Sequence, residues 1–266
     1  MRFQYDHDYH IHSYLSTCAT DPAQTPQRIL DYAEEYGLRE IVLTDHFWDE
    51  RVGEPCDWYK PQNFAWISQA RPLPQSENVR FLFGAEADMD KDMRVGVSKD
   101  RWDEFDFVVV ATTHLHHGEE FSISATEGAT AQGRANAWIR RLDSLLSQDL
   151  PFHKIGIAHL ACSTISRDKE MTKRTLELLP DQKLEELFKG CAKAGLGIEI
   201  NFSDFRFREG EKENILRIFK IAKATGCKFY LGSDIHRPIG FPWVKPIFEN
   251  AIDLLGLTEK DKFHIT

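Results

Sequence analysis

At 266 residues, with 33 Lys and Arg against 42 Asp and Glu, the chain carries a formal net charge of −9. That is the wrong sign for gripping a long nucleic acid through its phosphates, although a small anion held by metal ions and a few local arginines stays compatible. The length suits one substantial core, the N-terminus has no apolar segment of signal-peptide size, and no stretch approaches the ~18 apolar residues of a membrane span, so a cytoplasmic protein without a membrane partner is expected. Five cysteines without C-x-x-C spacing read as reduced thiols rather than a disulfide framework or a zinc ribbon.

In chain order, Tyr5–His12 reads as a first strand that delivers His10 and His12 to one face, because strand side chains repeat every second residue. A loop follows, and Thr25-Pro26 is a capping residue with proline at the first helical position. Ile29, Leu30, Ala33 and Tyr36 recur at helical spacing until Gly37. Further apolar runs end on polar groups: Glu40–His46, Arg80–Glu86, Phe107–His114, Ile155–His159, Gly197–Asn201, and a last run entering Gly232-Ser233-Asp234-Ile235-His236.

Between them the spacing predicts helices over Asn63–Gln69, Arg134–Leu146, Asp181–Ala194, Glu211–Ala224, and from about Val244 to before Gly256. The aromatic segment Phe47–Pro61 is long enough for a loop that covers a site, with Trp48, Trp58 and Tyr59 lining a pocket or packing the loop down. Ala87–Asp103 shows no clear pattern. No linker or composition break divides residues 1–266, so one α/β domain is expected, a closed or nearly closed seven-stranded barrel.

Barrels of this kind carry their chemistry at the C-terminal ends of the strands. Those ends hold His10, His12, His46, Glu86, His114, His159, Asp234 and His236. Six imidazoles and two carboxylates suit zinc, iron or manganese better than magnesium or calcium. One tetrahedral ion takes about four ligands, so the set implies two or more ions, with Glu86 the natural bridge. Ions a few ångströms apart activate water and stabilise charge on ester oxygens, which favours phosphate-ester hydrolysis. His7, His153 and His264 read as structural.

His10-x-His12, Thr44-Asp45-His46, Gly84-Ala85-Glu86, Thr113-His114, Ala158-His159 and Gly232-Ser233-Asp234-x-His236, in that order, resemble the motifs of the PHP family, named for polymerase-associated domains and histidinol phosphatases. The match spans nearly the whole chain. It implies a distorted (β/α)7 barrel with up to three metals. It also implies attack by a metal-bridging hydroxide on a small phosphomonoester such as histidinol phosphate.

Carried over by residue, the resemblance gives one metal His10, His12, Glu86 and Asp234, a second Glu86, His114 and His159, and a third His46 and His236. Cys18 stands where the trinuclear phosphatases have a further His on that third ion, and a thiolate is a competent zinc ligand. Asp45 either binds metal or orients a ligand from behind.

Glu199–Arg206 resembles the stretch that brings an arginine to the substrate phosphate in histidinol phosphatases, giving Arg206 and Asn201 substrate roles, with Arg208 and Arg237 in reserve. His116 or His117 is placed to protonate a leaving group. Three other functions stay open: amidohydrolase-type C–N hydrolysis, a 3′–5′ exonuclease-like phosphodiesterase, and a non-catalytic metal-binding domain.

Overall fold

The computed structural model describes residues 1–116, 121–207 and 210–266. Its strands are β1 (His7–Ile11), β2 (Glu40–Leu43), β3 (His46–Phe47), β4 (Arg80–Asp88), β5 (Phe107–Ala111), β6 (Ile155–Ile157), β7 (Gly197–Asn201) and β8 (Lys228–Gly232). They run parallel in the order β1-β2-β4-β5-β6-β7-β8, with β3 on β4. The single run expected over Glu40–His46 is split into β2 and β3, and both halves pair with β4. The break falls where Asp45 turns to accept hydrogen bonds from Ser13 N at 2.8 Å and Ser16 Oγ at 2.6 Å.

The barrel closes between the first and last strands, largely through side chains. Leu231 N donates to His7 Nε2 at 3.0 Å, and Ser233 N donates to Asp8 Oδ1 at 2.9 Å. Only past these do backbone bonds take over, from Asp234 N to His10 O at 2.7 Å and from His12 N to Ile235 O at 3.2 Å. His7 is thus a seam residue.

The helices are α1 (Pro26–Tyr36), α2 (Phe64–Ile67), α3 (Ala125–Gly128), α4 (Ala131–Leu146), α5 (Lys169–Glu177), α6 (Asp181–Ala194), α7 (Lys212–Ala224) and α8 (Phe241–Leu255). Their ends follow local chemistry. Thr25 caps α1 by accepting from Arg28 N, and Gly37 ends it in the left-handed conformation at φ 70. Thr130 caps α4 by accepting from Gly133 N, so the helix starts at Ala131, three residues before the expected boundary. Helix α5, for which the sequence offers little apolar periodicity, is set by Asp168, whose carboxylate accepts from Glu170 N and Met171 N. No helix among the described residues is long and apolar enough to cross a membrane.

Apolar residues divide between two layers. Tyr9, Val42, Leu82, Phe107, Val109, Tyr230 and Phe263 fill the barrel interior, while the larger cluster lies between the sheet and its helices. Phe263 is anchored by its N–H to Phe229 O at 2.8 Å, so the C-terminal segment plugs the N-terminal end of the barrel. Polar chemistry is left to the opposite rim.

Candidate metal centre

The strand ends converge as the two-residue period requires. His10 and His12 sit at the end of β1 with ring centroids 5.0 Å apart, and His12 stacks on His46 at 4.5 Å and on His236 at 4.2 Å. Glu86, on β4, is buried at the middle of the group. Its two oxygens divide the imidazoles. Oε2 lies 3.3 Å from His10 Nε2, 3.3 Å from His12 Nε2 and 3.0 Å from His46 Nδ1. Oε1 lies 2.9 Å from His159 Nε2 and 3.5 Å from His114 Nε2. Asp234 Oδ1 approaches His12 Nε2 at 3.0 Å and His10 Nε2 at 3.6 Å.

Among the described residues, three groups of side chains thereby have metal-capable atoms within 4.8 Å of one another: His10, His12, Glu86 and Asp234; Glu86, His114 and His159; and His12, His46 and His236. In the third group His12 joins the two histidines expected there. Cys18 is outside all three groups but lines the cleft in front of them. Burial first, then the Asp234 and Glu86 carboxylates, push its thiol well above the ordinary range.

The hydrogen-bond network assigns the imidazole tautomers. His10 Nδ1 donates to Glu199 Oε1 at 2.7 Å, and the other oxygen of Glu199 accepts from His159 N at 2.6 Å. Ser16 Oγ gives its proton to Asp45 and so accepts from His12 Nδ1 at 3.0 Å. Thr113 Oγ1 donates to His159 O and accepts from His159 Nδ1 at 3.1 Å. His236 Nδ1 donates to Asp234 O at 2.7 Å, and His114 Nδ1 faces Asp88 Oδ2 at 3.5 Å. Asp45 therefore acts through Ser16 on His12, and Glu199 holds His10 and His159 at once.

With their Nδ1 protons so committed, His10 and His12 turn Nε2 atoms toward each other at 3.1 Å. Both also face Glu86 and Asp234. Burial lowers both imidazoles, but Glu199, Glu86 and Asp234 outweigh it for His10, and Asp234 and Glu86 for His12, so carboxylates this buried demand positive charge among them. His46 Nδ1, 3.0 Å from Glu86, is buried without a hydrogen-bond partner among the described residues. The donor set, imidazole nitrogen and carboxylate oxygen with supporting bonds behind, fits zinc, manganese or iron.

Charge states express the same demand. Burial pushes Glu86 up, but the His46 and His10 imidazoles outweigh it and hold the carboxyl well below its usual range; Asp234 is lowered in the same way by His10 and His12. Burial pulls His159 down, yet Glu86 more than offsets it and holds the group at about 9. His114 is lowered to about 3 and His236 to about 4, each by burial first. Asp234, at φ 53, and His159, at φ 22, both hold left-handed backbone that a non-glycine residue rarely adopts, a strain of about 1–3 kcal/mol each that marks functional sites.

In front of the cluster lies a cleft of about 260 Å³, bounded by Trp58, His116, Thr164 and Arg167. Trp58 stands edge-on to His46 at 4.7 Å, while Trp48 and Tyr59 pack with Phe121 to hold the loop down. His116 Nδ1 donates to Thr164 O at 3.0 Å, and burial first, then His114, lower its imidazole to about 4. Arg206 lines a separate cavity with Lys169 and Ser203. Asn201 is buried, its Oδ1 accepting from Ser203 N at 2.7 Å and its Nδ2 unpartnered among the described residues, and Arg237 reaches Thr20 Oγ1 at 3.1 Å on the surface. His117 and Arg208 lie outside the described residues.

A histidinol phosphate phosphatase from Lactococcus lactis, solved with zinc, L-histidinol and phosphate, aligns with 92% of this chain and 93% of its own at TM-score 0.55 and 19% identity. The two share a fold. That agrees with the resemblance carried by the ordered motifs. A probable 2-pyrone-4,6-dicarboxylic acid hydrolase from Acinetobacter baumannii, solved with citric acid bound, aligns over 97% of both chains at TM-score 0.45 and 13% identity. No protein-family model matches the chain, and no curated protein does.

Several residues that build the site were not singled out from the sequence. Asp88 carried a signal, since it falls two positions beyond Glu86 on one strand and shares its face. Arg141 lies in the inward stripe of α4, where a charged residue is out of place. Fully buried, it pairs with Asp88 Oδ1 at 3.3 Å and donates to the carbonyls of Thr112 at 2.6 Å and Ser122 at 2.8 Å. Nothing local marks Arg167.

Proposed function

We propose that this protein is a PHP-type, metal-dependent phosphoesterase that hydrolyses a small phosphorylated metabolite. The observation that carries the reading is Glu86: each of its oxygens faces a different group of imidazoles, the arrangement of a carboxylate shared between two ions. His10, His12, Glu86 and Asp234 would hold one ion and Glu86, His114 and His159 another, with His46 and His236 available to a third and Cys18 beside it. Divalent zinc, manganese or iron bound there supplies Lewis acidity and an activated water.

The chain's own residues do the rest. Glu199, Ser16 and Thr113 keep the Nδ1 protons of His10, His12 and His159 away from the centre, so that Nε2 lone pairs face it. Arg167, which makes no ion pair among the described residues, borders the cleft and presents a guanidinium fork to an ester phosphate. Trp58 and the loop held down beneath Trp48 wall off water on one side. His116 borders the same cleft with Nδ1 held by Thr164 O, which leaves Nε2 to meet a leaving-group oxygen. A cleft of about 260 Å³ suits a metabolite better than a polynucleotide.

The test is phosphate release by zinc- or manganese-loaded protein from p-nitrophenyl phosphate and a panel of metabolite monoesters that includes histidinol phosphate. Release from any monoester, abolished by Glu86→Gln, is the expected result. A metal-loaded protein inert on every monoester and diester, or active only on amides and lactams, overturns the reading.

A further inference from the structure

Beside the metal cleft lies a second cavity, also of about 260 Å³, lined by Lys169 and Arg206 together with Ser163, Ser203, Thr172 and Glu211. One loop walls both. Thr164 and Arg167 face the metal cleft, while Ser163 and Lys169, their neighbours in the chain, face the other cavity. That loop is fixed from behind: Trp138 Nε1 donates to Leu160 O at 3.0 Å, Leu115 N donates to Thr164 O at 3.0 Å, and Arg134 holds the Ile165 carbonyl.

We infer that this cavity binds a second anionic group, phosphate or carboxylate, of the same substrate whose ester phosphate lies at the metals; the inference rests on the phosphoesterase reading above. In a chain of net charge −9, most cations near acids are paired. Lys169 and Arg206 make no hydrogen bond or ion pair through their side chains among the described residues. The Arg206 guanidinium rests over the Phe202 ring at 5.3 Å, which orients its fork without neutralising it. Glu211, the single carboxylate in the lining among the described residues, is engaged in contacts of its own. Hydroxyls of Ser163, Ser203 and Thr172 supply the remaining donors.

This commits to a substrate class. A bisphosphate or a phosphorylated acid satisfies both cavities. Histidinol phosphate, whose amino group is a cation at neutral pH, would place like charge against Lys169 and Arg206 if it reached them.

Calorimetric binding to the zinc-loaded protein tests this without turnover. The probes are α,ω-alkane bisphosphonates of three to six carbons and the matching phosphonocarboxylates, each compared with the alkylphosphonate of the same chain length. At least one doubly anionic probe should bind tenfold or more tightly than its monoanionic partner, and the preference should fall below threefold in the double variant Lys169→Ala/Arg206→Ala. A preference for bisphosphonates alone identifies the second group as phosphate, and one for phosphonocarboxylates alone as carboxylate. No preference at any length, or one that survives in the double variant, overturns the inference. Failure of the phosphoesterase reading shows separately, as wild-type protein that releases no phosphate from p-nitrophenyl phosphate.

Discussion

Replacing Glu199 by glutamine probes whether the network behind the imidazoles sets the metal affinity. Glu199 is fully buried and its two oxygens are both used, Oε1 by His10 Nδ1 at 2.7 Å and Oε2 by His159 N at 2.6 Å. Glutamine keeps the shape but turns one acceptor into a donor. Either the amide meets an N–H head-on, or His10 shifts its proton to Nε2 and aims it at the centre. A hydrogen bond to a charged partner contributes ~1.5–3 kcal/mol. At ~1.4 kcal/mol per decade that is about a ten- to hundredfold loss of metal affinity, the range outer supporting groups usually set.

Gly232→Ala reaches the same contact from the other side, because a Cβ there would stand 1.9 Å from Glu199 Oε1 and 2.7 Å from His10 Cβ. Zinc affinity is read by competition with a chromophoric chelator, and thermal melts confirm that each variant folds. If folded Glu199→Gln binds zinc within threefold of wild type, the tautomer argument is wrong.

Three further outcomes are expected. Chelation should lower the melting temperature by several degrees, since a ligand at a thousand times its Kd stabilises by ~4 kcal/mol; an unchanged melt with and without EDTA contradicts a cation-requiring centre. Metal affinity should climb between pH 6 and 9, because His159, held at about 9 without metal, must shed its proton to bind, and titrations in buffers of different ionisation heat should show proton release. A pH-independent affinity across that window refutes it. Arg141→Met should cost ~3–5 kcal/mol in urea unfolding by taking the buried guanidinium away from Asp88 and from the Thr112 and Ser122 carbonyls, and adding Asp88→Asn should recover part of the loss; a neutral single variant shows that the pair does not hold this region.

The strands and the histidines and carboxylates at their ends were legible because both rest on local signals, apolar runs and a period of two. Helix boundaries followed capping residues such as Thr25 and Gly37. What escaped the sequence depends on distant partners. Helix α5 buries only Thr172, Thr175 and Leu176 along its length, too few to mark a stripe. The segment after Glu86 is shaped by one carboxylate, with Asp90 Oδ1 accepting from Arg94 N at 2.8 Å and Oδ2 from Arg94 Nε at 2.7 Å, and by Gly96 lying against Trp48. Glu199 reads in sequence as one more polar residue in a strand, since its partner is 189 positions away. Arg206 follows β7 as expected, but which of two neighbouring cavities its side chain enters is decided by the loop carrying Lys169.

The join between β1 and β8 bears on how the protein comes into being. His10 and His12 leave the ribosome long before Asp234 and His236, yet they share one cluster across that join. A nascent chain halted before β8 would expose half a chelating site and an open barrel edge at the same time. An ion held from both sides would act as a clasp on the ring of strands.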